Sequence, residues 1–459
     1  MFVRKPLNVM LSFALVAMAG VAHAAVPYTT PILPVGDAQE MTAPYILAAG
    51  WTQKVIANRT NQNALVPGSN SGSWDMIDSN QTGPDANRYL FMPFETSTGG
   101  VQRVDLWDTN YNTRTVTIVA PGTQGFVAGD ASRWTPWGTY LTAEESWSDP
   151  AAPTSGYGRL FEVTNPTTAA ANGGIFEHRK IGPADIRVSH EGLAFDKANN
   201  FYFIDERNDS HIFKFTSANP QADNGDDFFA AGQTFVLRVG DGTVEEATGA
   251  ASWIPLTDVN GVALPGAVIV TDPNGLTAID GRATPNLPAF LGTNFDRPED
   301  LEIKTLKNGK QMLFVATTTN HKVFSIDLRN DTVKLFASRD TLDMATGAPV
   351  GTQFTSPDNL AIDADGNMYI VEDQDGGKQD TWFAKDDNND GVAEAVGKWA
   401  SLTTLEAEAT GLYFDPFKPN VAYINVQHPD SKVDRTFMIT APCPKTKGDN
   451  GHHFGHDKD

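Results

Sequence analysis

Glu191-Gly-Leu-Ala-Phe-Asp196, running on to Asn200-Phe-Tyr-Phe-Ile-Asp-Glu206, is the stretch that decides the fold. It has a near twin in Asp358-Asn-Leu-Ala-Ile-Asp363, running on to Asn367-Met-Tyr-Ile-Val-Glu-Asp373. Each reads as an acid, a short apolar strand closing on Asp, a turn, and a second strand ending in paired acids. In both, the last acid follows the first by 15 positions. A third copy begins at Glu299-Asp-Leu-Glu-Ile303 and continues through Met312-Leu-Phe-Val-Ala316. A fourth begins at Thr410-Gly-Leu-Tyr-Phe-Asp415 and continues through Val421-Ala-Tyr-Ile-Asn-Val426. The later copies start 59 and 52 residues apart. Units of several strands recurring every ~40–50 residues, stretched by insertions, are the mark of propeller blades.

The remainder agrees with an all-β chain. Helical periodicity is nearly absent. Short runs such as Tyr89-Leu-Phe-Met92 and Val116-Thr-Ile-Val119 alternate with turns drawn from 40 glycines and 28 prolines. The irregular pieces at 223–232 and 241–294 read as loops decorating the fold, with no domain boundary in them. We therefore expect a single β-propeller domain over residues 25–441 and a flexible Pro-, Lys- and His-rich tail over 442–459.

Residues 1–24 read as a secretory signal: Arg4 and Lys5 precede an apolar core, and Ala22-His-Ala24 forms a small-residue cleavage site. That predicts a periplasmic or extracellular protein with no membrane span. The single cysteine, Cys443, excludes an intrachain disulfide. A formal net charge of −22 argues against nucleic acid or an anionic membrane as partner. A monomer is the expectation.

Blades are arranged radially around a channel, so equivalent strand ends converge on its mouth. Glu191, Glu299 and Asp358 hold the first position of the repeat, and Glu408 lies two places before Thr410. Glu144 and Glu145 end another β-prone run, Thr135-Pro-Trp-Gly-Thr-Tyr-Leu-Thr-Ala-Glu-Glu145. Converging carboxylates repel one another, and an all-oxygen shell suits calcium best. Calcium there either pins the blades together or serves chemistry. Arg297, two residues before Glu299 in an extended segment, aims to the same side. Either it pairs with a surplus acid or, with the metal, it holds a phosphoryl or carboxylate group. His190 alternates away from the site as a packing residue. Asp386, Asn388 and Asp390 form a calcium-loop pattern before Gly391, but Gly397 stands where an EF-hand needs glutamate.

These residues together resemble the PhoX-type alkaline phosphatase family. The resemblance is carried by the Thr135–Glu145 stretch, Ser189-His-Glu-Gly192, Arg297-Pro-Glu299, Ser356-Pro-Asp-Asn359, Glu408-Ala-Thr-Gly411 and Asn425-Val-Gln-His-Pro429. Phe94-Glu95 is similar to an early His-Glu segment of the family. The resemblance implies a secreted six-bladed propeller hydrolysing small phosphate monoesters at a cluster of irons and calciums. By position it implies metal ligation by Glu144, Glu191 and Glu299, with Arg297 gripping phosphate. Glu95, Asp358, Asn359 and Glu408 are implied as further ligands. Glu145, Asp300, Glu372, Asp373 and His428 are implied at the rim or behind the ligands. Ala143 stands where the family has a metal-bridging cysteine, which argues for calcium and against iron. The family's twin-arginine signal is also absent, Arg4-Lys5 pointing to general secretion. A calcium-propeller lactonase or esterase, or a calcium-stabilised binding or matrix protein without turnover, are the alternatives.

Overall fold

The structure is a computed structural model that describes residues 37–65, 71–147, 157–374 and 378–442. The signal-like segment, most of the tail and Cys443 lie outside the described residues. Among those described, no helix is long and apolar enough to cross a membrane.

Among the described residues, the sheets contain six units in chain order, each a run of four antiparallel strands, two of them joined through Gly249–Pro255 into one nine-stranded sheet, with a separate three-stranded sheet beside them. The inner strands are Asp78–Ser79, Arg133–Trp134, Leu193–Phe195, Pro298–Thr305, Pro357–Ile362 and Glu408–Phe414. Each leads by a turn into a second strand: Tyr89–Pro93, Tyr140–Ala143, Phe201–Ile204, Gln311–Thr317, Met368–Glu372 and Val421–Gln427. The sixth unit draws its outer strand from the start of the chain, where Thr52–Asn58 pairs with Arg435–Thr440. Closing the architecture with an early strand ties the first and last described strands of the ring together.

Second strands are buried along almost their whole length, as in Phe201–Ile204 and Met368–Glu372, with only Gln311 half-buried. Their side chains point alternately to two faces, and each face packs on a neighbouring unit. The apolar core accordingly divides into clusters that join consecutive units. Phe91 and Tyr140 share one, Phe203 and Leu141 another, and Leu301 and Ile204 a third. Phe314 and Ile370, Tyr369 and Ile424, and Tyr423 and Leu90 continue the series from unit four back to unit one. The contacts therefore close a ring, and the chain is an all-β propeller.

Two glycines let inner strands approach at the centre. A Cβ on Gly192 would lie 2.4 Å from the Leu301 nitrogen. One on Gly411, where φ is +64°, would lie 2.8 Å from the Asp75 carbonyl oxygen. Any side chain at either place would force strands apart.

Candidate metal centre

One backbone hydrogen bond recurs in five units and builds the site. The nitrogens of Glu95, Glu145, Glu206, Thr318 and Asp373 donate to the carbonyls of Ser73, Ala128, Ser189, Arg297 and Ser356. Two residues after each acceptor comes an acid: Asp75, Asp130, Glu191, Glu299 and Asp358. Four of the five acceptors, all except Ser189, have positive φ. This kink, followed by register shifts such as those after Pro298 and Pro357, re-aims the acid toward the axis. The sixth unit departs from the pattern and contributes Glu408 and His428.

The result is a cavity of about 280 Å³. Its walls are Asp75, Asp130, Glu191, Glu299, Asp358 and Glu408, joined by Glu95, Glu145, Glu206 and Asp373, with Ser73, Arg297 and His428. A circuit of side-chain contacts runs around it. Gln427 donates to Glu95 at 2.9 Å and to Asp75 at 2.8 Å. Thr410 bridges Asp75 and Asn359, and Asn359 donates to Glu191 at 3.3 Å. Glu191 meets Glu299, and Arg297 lies 3.1 Å from Glu299 and 2.7 Å from Glu206. Glu206 then meets Glu145, and Glu145 meets Glu95.

Burial pushes the Glu191, Asp358, Asp75, Asp130, Glu145 and Glu408 carboxyls well above the usual range, and neighbouring acids push the same way. Glu299 is raised to about 7, first by burial and then by Glu206, against the opposing pull of Arg297. Burial works against the charge of Arg297, but Glu299 and Glu206 outweigh it and hold the guanidinium protonated. The site is thus a concentration of negative charge that protons or cations must neutralise.

Calcium fits this donor set. Glu191, Glu206 and Glu299 each offer a carboxylate oxygen within 4.8 Å of the others. Buried oxygens of Glu299 and Asp130 have no hydrogen-bond partner, which leaves hard acceptors open to a cation. A thiolate-bridged iron pair does not fit. Ala143 is fully buried at the end of its strand, and none of the described residues lining the cavity is a cysteine.

Of the residues singled out in the sequence, Glu95, Glu145, Glu191, Arg297, Glu299, Asp358, Asp373, Glu408 and His428 line the cavity. Glu144 does not, which corrects its assignment as a ligand. Both its oxygens face Arg159, with Nη2 at 2.7 Å and Nε at 3.0 Å. Adjacent residues of an extended chain point oppositely, so only the second acid of the pair reaches the axis. The same rule turns Glu372 back to accept from Trp382 Nε1 at 2.7 Å, leaving Asp373 in the wall. Asn359 and Asp300 also sit behind the wall. The Asn359 carbonyl accepts from Thr410 and from the Gly411 nitrogen, and Asp300 accepts from the nitrogens of Leu301 and Leu360. His190 is buried against Phe203, where burial lowers its pKa to about 3. Asp386, Asn388 and Asp390 lie away from the centre, with Asp386 facing Lys304 at 3.8 Å and Asp390 facing Lys334 at 3.5 Å.

Sequence reading missed Asp75, Asp130 and Glu206 as wall residues. Glu206 stood in the quoted repeat at the place equivalent to Asp373, so the signal was present. Asp75 and Asp130 lack the leucine two places later that marks the other copies.

A family profile described as Alkaline phosphatase PhoX matches residues 124–430, two thirds of the chain. Among solved structures, Pseudomonas fluorescens PhoX in complex with vanadate, a transition state analogue, is similar with a TM-score of 0.61. The two are 16% identical, and the match covers 91% of this chain and 97% of that one. Soluble aldose sugar dehydrogenase from Escherichia coli, in the apo-form, gives a TM-score of 0.41 at 8% identity, covering 85% of this chain and 99% of that one. A luciferin-regenerating enzyme gives 0.41 at 8% identity, covering 85% and 95%. No curated protein matches significantly in sequence. With the profile running from the second unit to the end of the sixth unit's second strand, the chain belongs to the alkaline phosphatase PhoX family of phosphoric monoester hydrolases.

Proposed function

We propose that the protein hydrolyses small phosphate monoesters in the periplasm or outside the cell, using calcium held by the cavity carboxylates. The observation that carries this reading is the position of Arg297. Among the described residues it is the one guanidinium in a wall otherwise made almost wholly of acids, and it touches Glu206 and Glu299 together. Its side chain is 40% exposed, so donors remain on the open edge of its fork. A planar guanidinium presents paired N–H groups at the spacing of two phosphoryl oxygens.

Glu95, Glu145, Glu191, Glu206, Glu299, Asp75, Asp130, Asp358 and Glu408 form the ligand pool, and Asp373 lies beside them. Calcium, when bound, neutralises both the carboxylates and the phosphate oxygens. Glu206 and Glu299 fix the guanidinium so that it meets the phosphoryl group without reorganising. Thr318 donates to Glu299 and restricts that carboxylate's orientation. His428 stands at the rim with an exposed side chain, its Nε2 3.0 Å from Glu408. The signal-like segment supports export, the stretch 25–441 is proposed as one domain, and the 386–390 loop as a separate peripheral calcium site.

The test is turnover of a generic aryl phosphate before and after chelation, with calcium then restored. Activity should fall on chelation and return with calcium. Turnover that survives complete removal of divalent metal would refute the mechanism.

A further inference from the structure

The long insertion before unit four braces the cavity from behind. Its strand Thr277–Asp280 pairs in parallel with Ile186–Arg187, and the Gly281 nitrogen donates to the Arg187 carbonyl at 2.9 Å. The next residue, Arg282, grips Asp205 with two bonds, Nη2 to Oδ1 at 2.7 Å and Nε to Oδ2 at 2.8 Å. Its remaining nitrogen, Nη1, donates to the carbonyl of Trp147. Asp280 fixes this arrangement by accepting from the nitrogens of Arg282 and Ala283, and from Trp147 Nε1 at 3.4 Å.

None of these insertion residues lines the cavity, yet every segment they hold carries a wall acid. Asp205 immediately precedes Glu206. Asp205 also accepts from the Ser189 nitrogen at 2.7 Å, two residues before Glu191. Trp147 follows Glu145 by two residues. One guanidinium therefore joins the chain segments that place Glu145, Glu191 and Glu206. Asp205 is fully buried, so without Arg282 its charge, one residue from Glu206, would keep only the hydrogen bonds from the Ser189 nitrogen and the Ser210 hydroxyl.

We propose that Arg282 is a positioning residue, which sets the calcium affinity of the cavity by holding these three carboxylates in register. The proposal rests on the calcium reading above. Outer partners that orient ligands typically change metal affinity or activity about 10–100-fold when removed. A planar fork also holds a carboxylate in one orientation, which a lysine does not.

The experiment compares wild type, Arg282→Met, Arg282→Lys and Arg179→Met by calorimetric calcium titration, thermal melting and aryl phosphate kinetics. Arg179 pairs with Glu162 and Asp226 away from the cavity and controls for losing a buried ion pair. Arg282→Met should bind calcium about 10–100-fold more weakly, and kcat should fall while KM changes less. Arg282→Lys, which keeps the charge and guards against misfolding, should lie between Met and wild type. Arg179→Met should melt earlier with unchanged calcium affinity. Wild-type calcium affinity in folded Arg282→Met and Arg282→Lys would overturn the proposal and leave the phosphatase reading intact. A wild type that binds calcium but hydrolyses no phosphate ester would overturn only the phosphatase reading.

Discussion

Glu144 and Glu145 are neighbours in sequence and face opposite ways: Glu145 enters the central cavity, and Glu144 turns back onto Arg159 at 2.7 Å. The same split separates Glu206 from Asp205, which Arg282 holds, and Asp373 from Glu372, which Trp382 holds. Each paired-acid strand end thus supplies one carboxylate to the axis and one to a fixed partner behind it.

Substitutions at the first pair should separate the two roles. Glu145→Gln should weaken calcium binding with a small change in the melting temperature of the metal-free protein. Glu144→Gln should destabilise by about 3 kcal/mol, because it strands the Arg159 guanidinium in a buried setting. Calcium titration and denaturant unfolding of both variants read the difference. Equal calcium affinity in Glu145→Gln and wild type would count against the wall assignment.

Arg297 should be irreplaceable by another cation. Arg297→Ala is expected to lower kcat/KM for aryl phosphates about 100–1,000-fold, the scale of losing one preorganised donor group. Arg297→Lys should recover little, since an ammonium cannot bridge Glu206 and Glu299 and also present two donors. Steady-state kinetics at saturating calcium measures both.

Asn359 gives a test of wall against support. Its carbonyl already accepts two donors, so its amide nitrogen must face Glu191. Asn359→Asp would set a carboxylate against Glu191 and lose that donor. The expected result is lower stability and weaker calcium binding. Were Asn359 a direct ligand, the added charge would hold or raise calcium affinity.

Acidity should stabilise the metal-free protein. Burial raises Glu144 to about 7, and Asp300 and Glu372 to about 8. In the unfolded chain these groups titrate near ~4. Between those values the folded state binds more protons, so stability falls as pH rises from about 4 through about 8. Melting in chelator should follow that slope. Saturating calcium should remove only the part of the slope that cavity carboxyls such as Glu299, raised to about 7, contribute, and leave the part from these three groups behind the wall.

Much of this was legible in the sequence because the repeat carries its own register. Leu193, Leu301 and Leu360 mark the inner strands, and the acids two places before them converge whatever the loop lengths. Two things were hidden. Units one and two have short inner strands, Asp78–Ser79 and Arg133–Trp134, so Asp75 and Asp130 had no apolar pattern to announce them. The choice between adjacent acids depends on which one sits in phase with the strand, and a one-residue shift exchanges Glu144 for Glu145. The 241–294 stretch read as decoration because Arg282 acts only through contacts far away in sequence, Asp205 and Trp147.

The most direct measurement is elemental analysis of the purified, active protein, taken on the same sample whose phosphatase turnover is recorded. The account predicts calcium in at least stoichiometric amount, iron well below one atom per chain, and turnover proportional to calcium content. Active protein that holds iron stoichiometrically and no calcium would contradict it.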